Sequence, residues 1–270
     1  MKLAYGVTAD VRVDGFLGLQ GDVEESFSLL ANIGYDGVEL YPHRLEDGLA
    51  DRVLSVAERT GLHVPVIGTA LIPRLDGLFL LSEQRSIGSA ALDRVKEFID
   101  FARVLGADIT LGKVRGSRPS STHTDWAAEL ERILGELCAY GGSEVKILLE
   151  AQHPSVVDTL STSGEILNVI NRLSLDNLYV HLDTAHLDRT EADAAQSILA
   201  CGDRLGYIHL ADRNRMVPGE GGIPFAPLCD ALKSIRYDGW VSLEIEQGED
   251  PGKTAKRAYE ASIRLCTGGE

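Results

Sequence analysis

Two hydrophobic patterns alternate eight times along this 270-residue chain. Short runs rich in β-branched residues are typical of buried strands. Apolar residues three or four positions apart, as at Val23, Phe27 and Leu30, are typical of amphipathic helices. The predicted strands are residues 2–7, 37–41, 63–68, 108–113, 146–151, 178–183, 206–211 and 240–245.

Strands and helices in this alternation predict an α/β fold, a single closed parallel (β/α)8 TIM barrel that spans residues 1–270. A repeated turn supports the prediction, because "GYDGVEL" and "RYDGWVSLE" both lead into a strand. The alternative is a doubly wound open sheet, which normally has a glycine-rich phosphate loop after its first strand. The corresponding segment, "GVTADVRVDGFLGLQGD", has no such motif, so the barrel is favoured.

Long segments follow the third, fourth and seventh predicted strands: "GTALIPRLDGLFLLSEQR", "VRGSRPSSTHT" and "DRNRMVPGEGGIP". The segments that lead into strands are short. Loops that leave parallel strands share one face of a barrel, and barrel enzymes place their active sites on that face. We therefore expect the functional site at the C-terminal ends of the strands.

Four chemically active side chains stand at the ends of strands five to eight, namely Glu150, Asp183, His209 and Glu244. Because the strands are parallel, these residues are expected to converge, and three carboxylates that close would repel one another without a cation. Three carboxylate oxygens and one imidazole nitrogen suit Mn²⁺, our first choice, or Mg²⁺ or Co²⁺. The alternative is that each residue is an isolated polar group that caps its strand.

The composition of the chain disfavours several kinds of binding partner. The net charge of −15 disfavours nucleic acid and anionic membrane surfaces, and also a metal-dependent nuclease, which needs a basic groove. No stretch approaches the roughly 20 apolar residues of a membrane span. Four widely spaced cysteines without a CxxC pair indicate reduced thiols in the core of a cytoplasmic protein. They are Cys138, Cys201, Cys229 and Cys266.

The motifs "LLEAQH", "LDTAH", "HLADRNR" and "SLEIE" resemble, in order and spacing, those of the sugar phosphate isomerase/epimerase superfamily of xylose-isomerase-like barrels. The resemblance covers essentially the whole chain and is closest to ketose 3-epimerases and keto-gluconate epimerase-like members. It implies that the four strand-end residues hold one divalent metal and that Glu150 and Glu244 are also the catalytic acid/base pair. It further implies that His186 and Arg215 contact substrate oxygens about the reacting carbon.

The predicted activity is that of a metal-dependent isomerase-class enzyme, an epimerase of a small-molecule ketose or keto-sugar acid. The two glutamates would remove and return a proton through a metal-stabilised enediolate. The alternatives are an aldose–ketose or hydroxypyruvate-type isomerase, an inosose or keto-acid dehydratase, and a catalytically idle metal- or sugar-binding protein. Ketose 3-epimerases commonly carry a glutamate where this chain has Val156, which makes a free hexulose a doubtful substrate. The resemblance also implies a homodimer or homotetramer.

Histidine ligands usually donate their second ring hydrogen to a nearby acceptor, and Asp212, three residues after His209, is the predicted acceptor. The alternative is that Asp212 caps the loop that follows. Strand alternation places His181 on the same side as Asp183 and deeper in the barrel. We predict a hydrogen-bonded interior histidine rather than a fifth ligand.

Further residues lie near the same strand ends. Gln152 and His153 follow Glu150 and are predicted to contact substrate, or else to be ordinary loop residues. Arg115, after strand four of a very acidic protein, is predicted to recognise a carboxylate or phosphate on the substrate, with surface solvation as the alternative. Glu39 ends strand two, where a structural role is favoured over a place in the pocket.

Overall fold

Eight parallel strands close into one barrel in the computed structural model, which describes residues 1–120 and 125–267. Neighbours in sequence are neighbours in the barrel, and the first strand pairs with the eighth. The predicted fold class is confirmed. The strands are β1 (Lys2–Ala9), β2 (Gly37–Pro42), β3 (His63–Ile67), β4 (Asp108–Leu111), β5 (Ile147–Glu150), β6 (Leu178–Asp183), β7 (Leu205–Leu210) and β8 (Trp240–Leu243).

Nine α-helices are present in the described part of the chain, because the connection from β6 to β7 contains two. They are α1 (Val23–Ile33), α2 (Leu49–Thr60), α3 (Arg85–Leu105), α4 (Trp126–Gly141), α5 (Ser163–Leu173), α6 (Thr184–Thr190), α7 (Ala194–Cys201), α8 (Phe225–Ser234) and α9 (Pro251–Thr267). The long loops contain a π-helical turn (Ile72–Asp76) and 3₁₀ turns at Lys113–Arg115 and Arg213–Arg215.

The helix ends follow from local sequence. Helix α1 begins after Asp22, whose side chain accepts a hydrogen bond from Glu25 N, and ends at Gly34 in the left-handed conformation (φ 115°). Helix α5 begins with a capping box in which Thr162 and Glu165 bond each other's backbone N–H groups. Caps of these kinds satisfy the backbone groups that a helix terminus leaves without partners.

The main core lies between the barrel and its ring of helices, where side chains such as Phe27 and Phe98 are fully buried. A smaller apolar cluster contains Val66, Leu148 and Tyr207. Leu148 and Tyr207 precede Glu150 and His209 by two residues, so each pair points to the same face of its strand. The polar strand ends therefore lie above an apolar floor.

Strand pairing places the predicted site residues near the same end of the barrel. Asp183 pairs with His209 and Glu150 pairs with His181 in the parallel ladders. Glu150 and Asp183 end their strands, His209 is the last but one residue of β7, and Glu244 directly follows β8.

Cys138, Cys201 and Cys229 are buried, as predicted for core thiols. Among the described helices, none combines the length and the apolar character that crossing a bilayer requires. Residues 121–124, at the end of the predicted long loop after β4, lie outside the described residues, as do residues 268–270.

Candidate active site

The structure brings together the four predicted strand-end residues. Each of Glu150, Asp183, His209 and Glu244 offers a ligand atom, and these atoms all lie within 4.8 Å of one another. His209 Nδ1 lies 3.4 Å from Glu244 Oε2, 3.8 Å from Asp183 Oδ2 and 4.0 Å from Glu150 Oε1. Three of the side chains are buried, and Glu244 is partly exposed. The cluster is therefore reached from solvent on its Glu244 side.

Two atoms of this cluster support a cation at its centre. Glu150 Oε1 and His209 Nδ1 are buried and have no hydrogen-bond partner among the described residues. Buried polar atoms without partners are costly, and a metal ion accepts both kinds of lone pair. Three carboxylates and one imidazole are ligands that fit Mn²⁺ or Mg²⁺, so the residues present fit the implied group.

Asp183 has two roles because β6 runs directly into α6. Its Oδ1 caps that helix, accepting hydrogen bonds from Ala185 N (2.8 Å) and His186 N (3.2 Å), which leaves Oδ2 to face the cluster. Burial raises the pKa of Asp183, but its interactions with Arg215 above all, and with His186 and His209, outweigh burial and hold the pKa well below its usual range. The group is a carboxylate at neutral pH.

Arg215 lies against the cluster, beside His186. Its Nη1 contacts Asp183 Oδ2 and lies 2.8 Å from Glu244 Oε2, and its Nη2 lies 3.1 Å from His186 Nε2. Asn214 and Arg215 both adopt left-handed backbone conformations (φ 56° and 60°), which are costly for residues other than glycine. This strained turn directs Arg215 back into the barrel.

Asp212 does not contact His209. Its carboxylate accepts backbone hydrogen bonds from Arg213 N (2.8 Å), Gly219 N (2.8 Å) and Ile223 N (2.9 Å). The predicted role of Asp212 as the acceptor for His209 is therefore wrong, and the alternative, a cap of the following loop, is right. Three backbone donors in that loop turn the carboxylate away from the histidine.

The hydrogen-bond partner of His209 is Glu39, for which the sequence favours a structural role. Glu39 Oε2 lies 2.8 Å from His209 Nε2, and the carboxylate also accepts from Tyr41 Oη (2.8 Å) and Tyr207 Oη (3.3 Å). Burial lowers the pKa of His209, but the carboxylates of Glu39 and Glu244 outweigh it and raise the pKa well above its usual value. A cation at Nδ1 would therefore compete with a proton.

His181 is an interior histidine, as predicted. Its ring lies edge-to-face against His209 (centroids 4.2 Å apart) and Tyr207 (5.2 Å). Neither ring nitrogen has a hydrogen-bond partner in the described part of the chain, so the predicted hydrogen bonding is absent. Burial, followed by the charge of His209, lowers the pKa of His181 well below its usual value, which keeps the ring neutral.

Gln152 and His153 border the cluster. Gln152 Nε2 donates to Glu150 Oε2 (2.7 Å), and His153 N lies 3.4 Å from His186 Nδ1. Burial raises the pKa of Glu150 to about 8. Gly112 leaves room for this carboxylate, since a Cβ at Gly112 would lie 2.3 Å from Glu150 Oε2.

Arg115 lies outside this cluster. Its side chain is fully buried and donates to the carbonyl oxygens of Leu111, Gly112, Thr159 and Leu160 at 2.7–3.2 Å. The guanidinium is enclosed by backbone carbonyls and is not accessible to a ligand. The predicted substrate contact by Arg115, and the alternative of surface solvation, are both wrong.

Comparison with known proteins identifies relatives of this chain. The family model of xylose isomerase-like TIM barrels matches residues 27–266. An L-ribulose 3-epimerase of Methylomonas sp. (strain DH-1) is 34% identical over 134 residues, which are 50% of this chain and 46% of that protein. The chain thus spans about half the length of that relative. A 3-dehydro-D-guloside 4-epimerase of Escherichia coli (strain K12) is 26% identical over 91% of this chain and 95% of its own.

Among solved structures, a D-psicose 3-epimerase with D-tagatose from Clostridium cellulolyticum H10 superimposes with a TM-score of 0.81. The match covers 98% of this chain and 99% of that chain at 19% sequence identity. At that identity the similarity shows the fold, which is the barrel described above.

Proposed function

The chain belongs to the family of xylose isomerase-like TIM barrels, and from this premise we propose that it is a divalent-metal-dependent epimerase of a ketose or keto-sugar acid. The observation that carries the proposal is the convergence of Glu150, Asp183, His209 and Glu244, with two buried ligand atoms lacking partners. The names of the relatives, a ketose 3-epimerase and a glycoside 4-epimerase, support an enzyme of the isomerase class.

In this proposal the four clustered residues hold one ion, with Mn²⁺ preferred to Mg²⁺ or Co²⁺. The ion would supply Lewis-acid stabilisation of negative charge on the substrate oxygens. The protein would position the sugar so that its acidic C–H bond faces a carboxylate.

Glu150 and Glu244 are the proposed acid/base pair. They stand at the ends of β5 and β8, with two strands between them, so they enter the cluster from different sides. One glutamate would remove the proton from the carbon next to the carbonyl, and the other would return a proton from the opposite face. Inversion of that carbon is the result.

His186 and Arg215 would hold the oxygens on either side of this carbon. Arg215 pairs with Asp183 and Glu244, and beside them it would stabilise negative charge that develops on the substrate. Gln152 has a buried carbonyl oxygen without a partner in the described residues, and this atom would accept a substrate hydroxyl. His153 completes this side of the proposed pocket.

The same residues would also catalyse aldose–ketose isomerisation, if the proton returned to the neighbouring carbon, or dehydration, if a β-hydroxyl left. We favour epimerisation because the two glutamates are separated around the barrel. Val156, 36% exposed on the loop after β5, cannot accept hydrogen bonds from terminal hydroxyls. This disfavours a free hexulose as the substrate. A homodimer or homotetramer in the cytoplasm is also part of the proposal.

Proton exchange with D₂O, followed by NMR, tests the proposal. Ketoses, keto-sugar acids and keto-inositols would each be incubated with the protein and Mn²⁺. We expect loss of one C–H signal beside the carbonyl and formation of the epimer, both abolished by EDTA. Glu244→Gln is expected to slow exchange about 10²–10⁴-fold. If the folded, Mn²⁺-saturated protein exchanges no proton in any of these compounds, the proposed enzyme activity is wrong. The alternative, a catalytically idle binding protein, then replaces it.

A further inference from the structure

Glu39 places a carboxylate inside the barrel, on a strand that contributes none of the four clustered residues. Its side chain is fully buried. Its contacts in the described structure are two hydroxyl donors, those of Tyr41 and Tyr207, and the Nε2 atom of His209. A carboxylate oxygen accepts hydrogen bonds, so a carboxylate at this position pairs with a hydrogen on each of these three atoms.

This arrangement determines which nitrogen of His209 is available. A carboxylate at Nε2 requires the hydrogen to be on Nε2, and the neutral ring then has its lone pair on Nδ1. Nδ1 is the atom that faces Glu150, Asp183 and Glu244, at 3.4–4.0 Å. The hydrogen bond at Nε2 thus leaves the lone pair of Nδ1 free to bind a cation.

Packing keeps this carboxylate in place. Tyr41 holds one oxygen of Glu39, and Tyr207 holds the oxygen that His209 also uses. Tyr41 in turn packs edge-to-face against Phe16 of the long loop after β1, with centroids 5.1 Å apart. Burying a carboxylate costs desolvation energy, which hydrogen bonds from these three partners offset.

We propose that Glu39 is a positioning residue for the metal: by accepting the Nε2 hydrogen it fixes the tautomer and the orientation of His209, so that Nδ1 binds the ion. The inference rests on the proposed function, because it assumes an ion in the cluster. Removing such an outer hydrogen-bond partner typically weakens metal binding 10–100-fold.

Titration calorimetry with Mn²⁺ compares three proteins: wild type, Glu39→Gln and Tyr41→Phe. In Glu39→Gln the amide can present an N–H₂ group to His209, so we expect Mn²⁺ affinity to fall 10–100-fold. Tyr41→Phe is the matched control, since it removes a buried hydrogen bond from the same carboxylate but leaves the one to His209. We expect its affinity to stay within about threefold of wild type.

The tautomer provides a second readout, which is measured on the wild-type protein and needs no Glu39 variant. In ¹⁵N-histidine-labelled wild type with Mg²⁺, long-range ¹H–¹⁵N spectra are expected to show His209 with hydrogen on Nε2 and none on Nδ1. The His209 signals are those absent from His209→Gln. Hydrogen on Nδ1 in the Mg²⁺-loaded protein would overturn the inference.

The outcomes separate the two proposals. If wild type binds no Mn²⁺, the metal-dependent function fails and the role of Glu39 fails with it. If wild type binds Mn²⁺ and folded Glu39→Gln binds it equally well, only the role of Glu39 fails.

Discussion

Two arginines near the C-terminal end of the barrel have opposite environments. Arg115 is fully buried, and its partners are four backbone carbonyls and a threonine hydroxyl. Arg215 reaches the cluster from a strained turn and contacts Asp183, Glu244 and His186. Burial lowers the pKa of Arg115 to about 10. Burial also lowers the pKa of Arg215, but Asp183 and Glu244 outweigh it and raise the pKa above its usual value.

Both arginines follow a strand end and both were predicted to contact substrate. Arg115 and Arg215 differ in the groups that surround the guanidinium charge. Backbone carbonyls accept hydrogen bonds from the Arg115 guanidinium. Arg115 thereby joins the loop after β4 to the segment after β5, which is a structural role. The partners of Arg215 are carboxylates of the proposed metal cluster, so its guanidinium lies beside the proposed reaction centre. Arg115 should therefore matter for stability and Arg215 for rate.

The largest expected effect is on stability. Arg115→Met removes the donors of four buried carbonyls, so we expect a loss of about 3–5 kcal/mol in the free energy of unfolding. Urea denaturation measures this loss directly. Arg118→Met is the control, because Arg118 is exposed, and it should change stability by less than about 0.5 kcal/mol. Unchanged stability of Arg115→Met together with a raised KM would return Arg115 to the substrate site.

The next largest effect is on rate. Arg215→Met removes the cation beside Asp183 and Glu244, and we expect proton exchange to slow about 10²–10³-fold, the size seen when one charge-stabilising donor is lost. Arg213→Met is the matched control on the same turn, since Arg213 pairs with Asp188 at the surface. Its exchange rate should stay within about twofold of wild type. An equal loss of exchange rate in Arg213→Met and Arg215→Met would contradict the role proposed for Arg215.

The smallest effect concerns the loop that carries Arg215. Asp212→Asn replaces a carboxylate that accepts hydrogen bonds from three backbone N–H groups. Arg215 should then be less well aligned, and proton exchange should slow about tenfold. Mn²⁺ affinity, measured by calorimetry, should stay within about threefold of wild type. A drop in affinity as large as that of Glu39→Gln would contradict the restriction of Asp212 to its own loop.

Sequence patterns predicted the barrel well, because each strand is a distinct apolar run between helical segments. Strand-end spacing was also enough to bring Glu150, Asp183, His209 and Glu244 together, since the C-terminal ends of parallel strands meet at one end of the barrel. Such spacing contains no information on which way a loop side chain turns. This is why Asp212, three residues from His209, faces its own loop instead.

Glu39 is 170 residues from His209, and only closure of the barrel brings them into contact. One signal was present in the sequence. Glu39 and Tyr41 on β2, like Tyr207 and His209 on β7, are spaced two apart and so point to one face of their strands. A carboxylate on such a buried face needs donors, and the tyrosines and the histidine provide them.

Diffraction from crystals soaked in Mn²⁺ shows whether Glu150, Asp183, His209 and Glu244 bind a metal, because anomalous scattering locates the ion. We expect one anomalous peak per chain, about 2.0–2.2 Å from Glu150 Oε1, Asp183 Oδ2, His209 Nδ1 and a Glu244 oxygen. Arg215 should still lie beside it. No peak in this cluster at saturating Mn²⁺, with Arg215 alone bridging Asp183 and Glu244, would contradict the account.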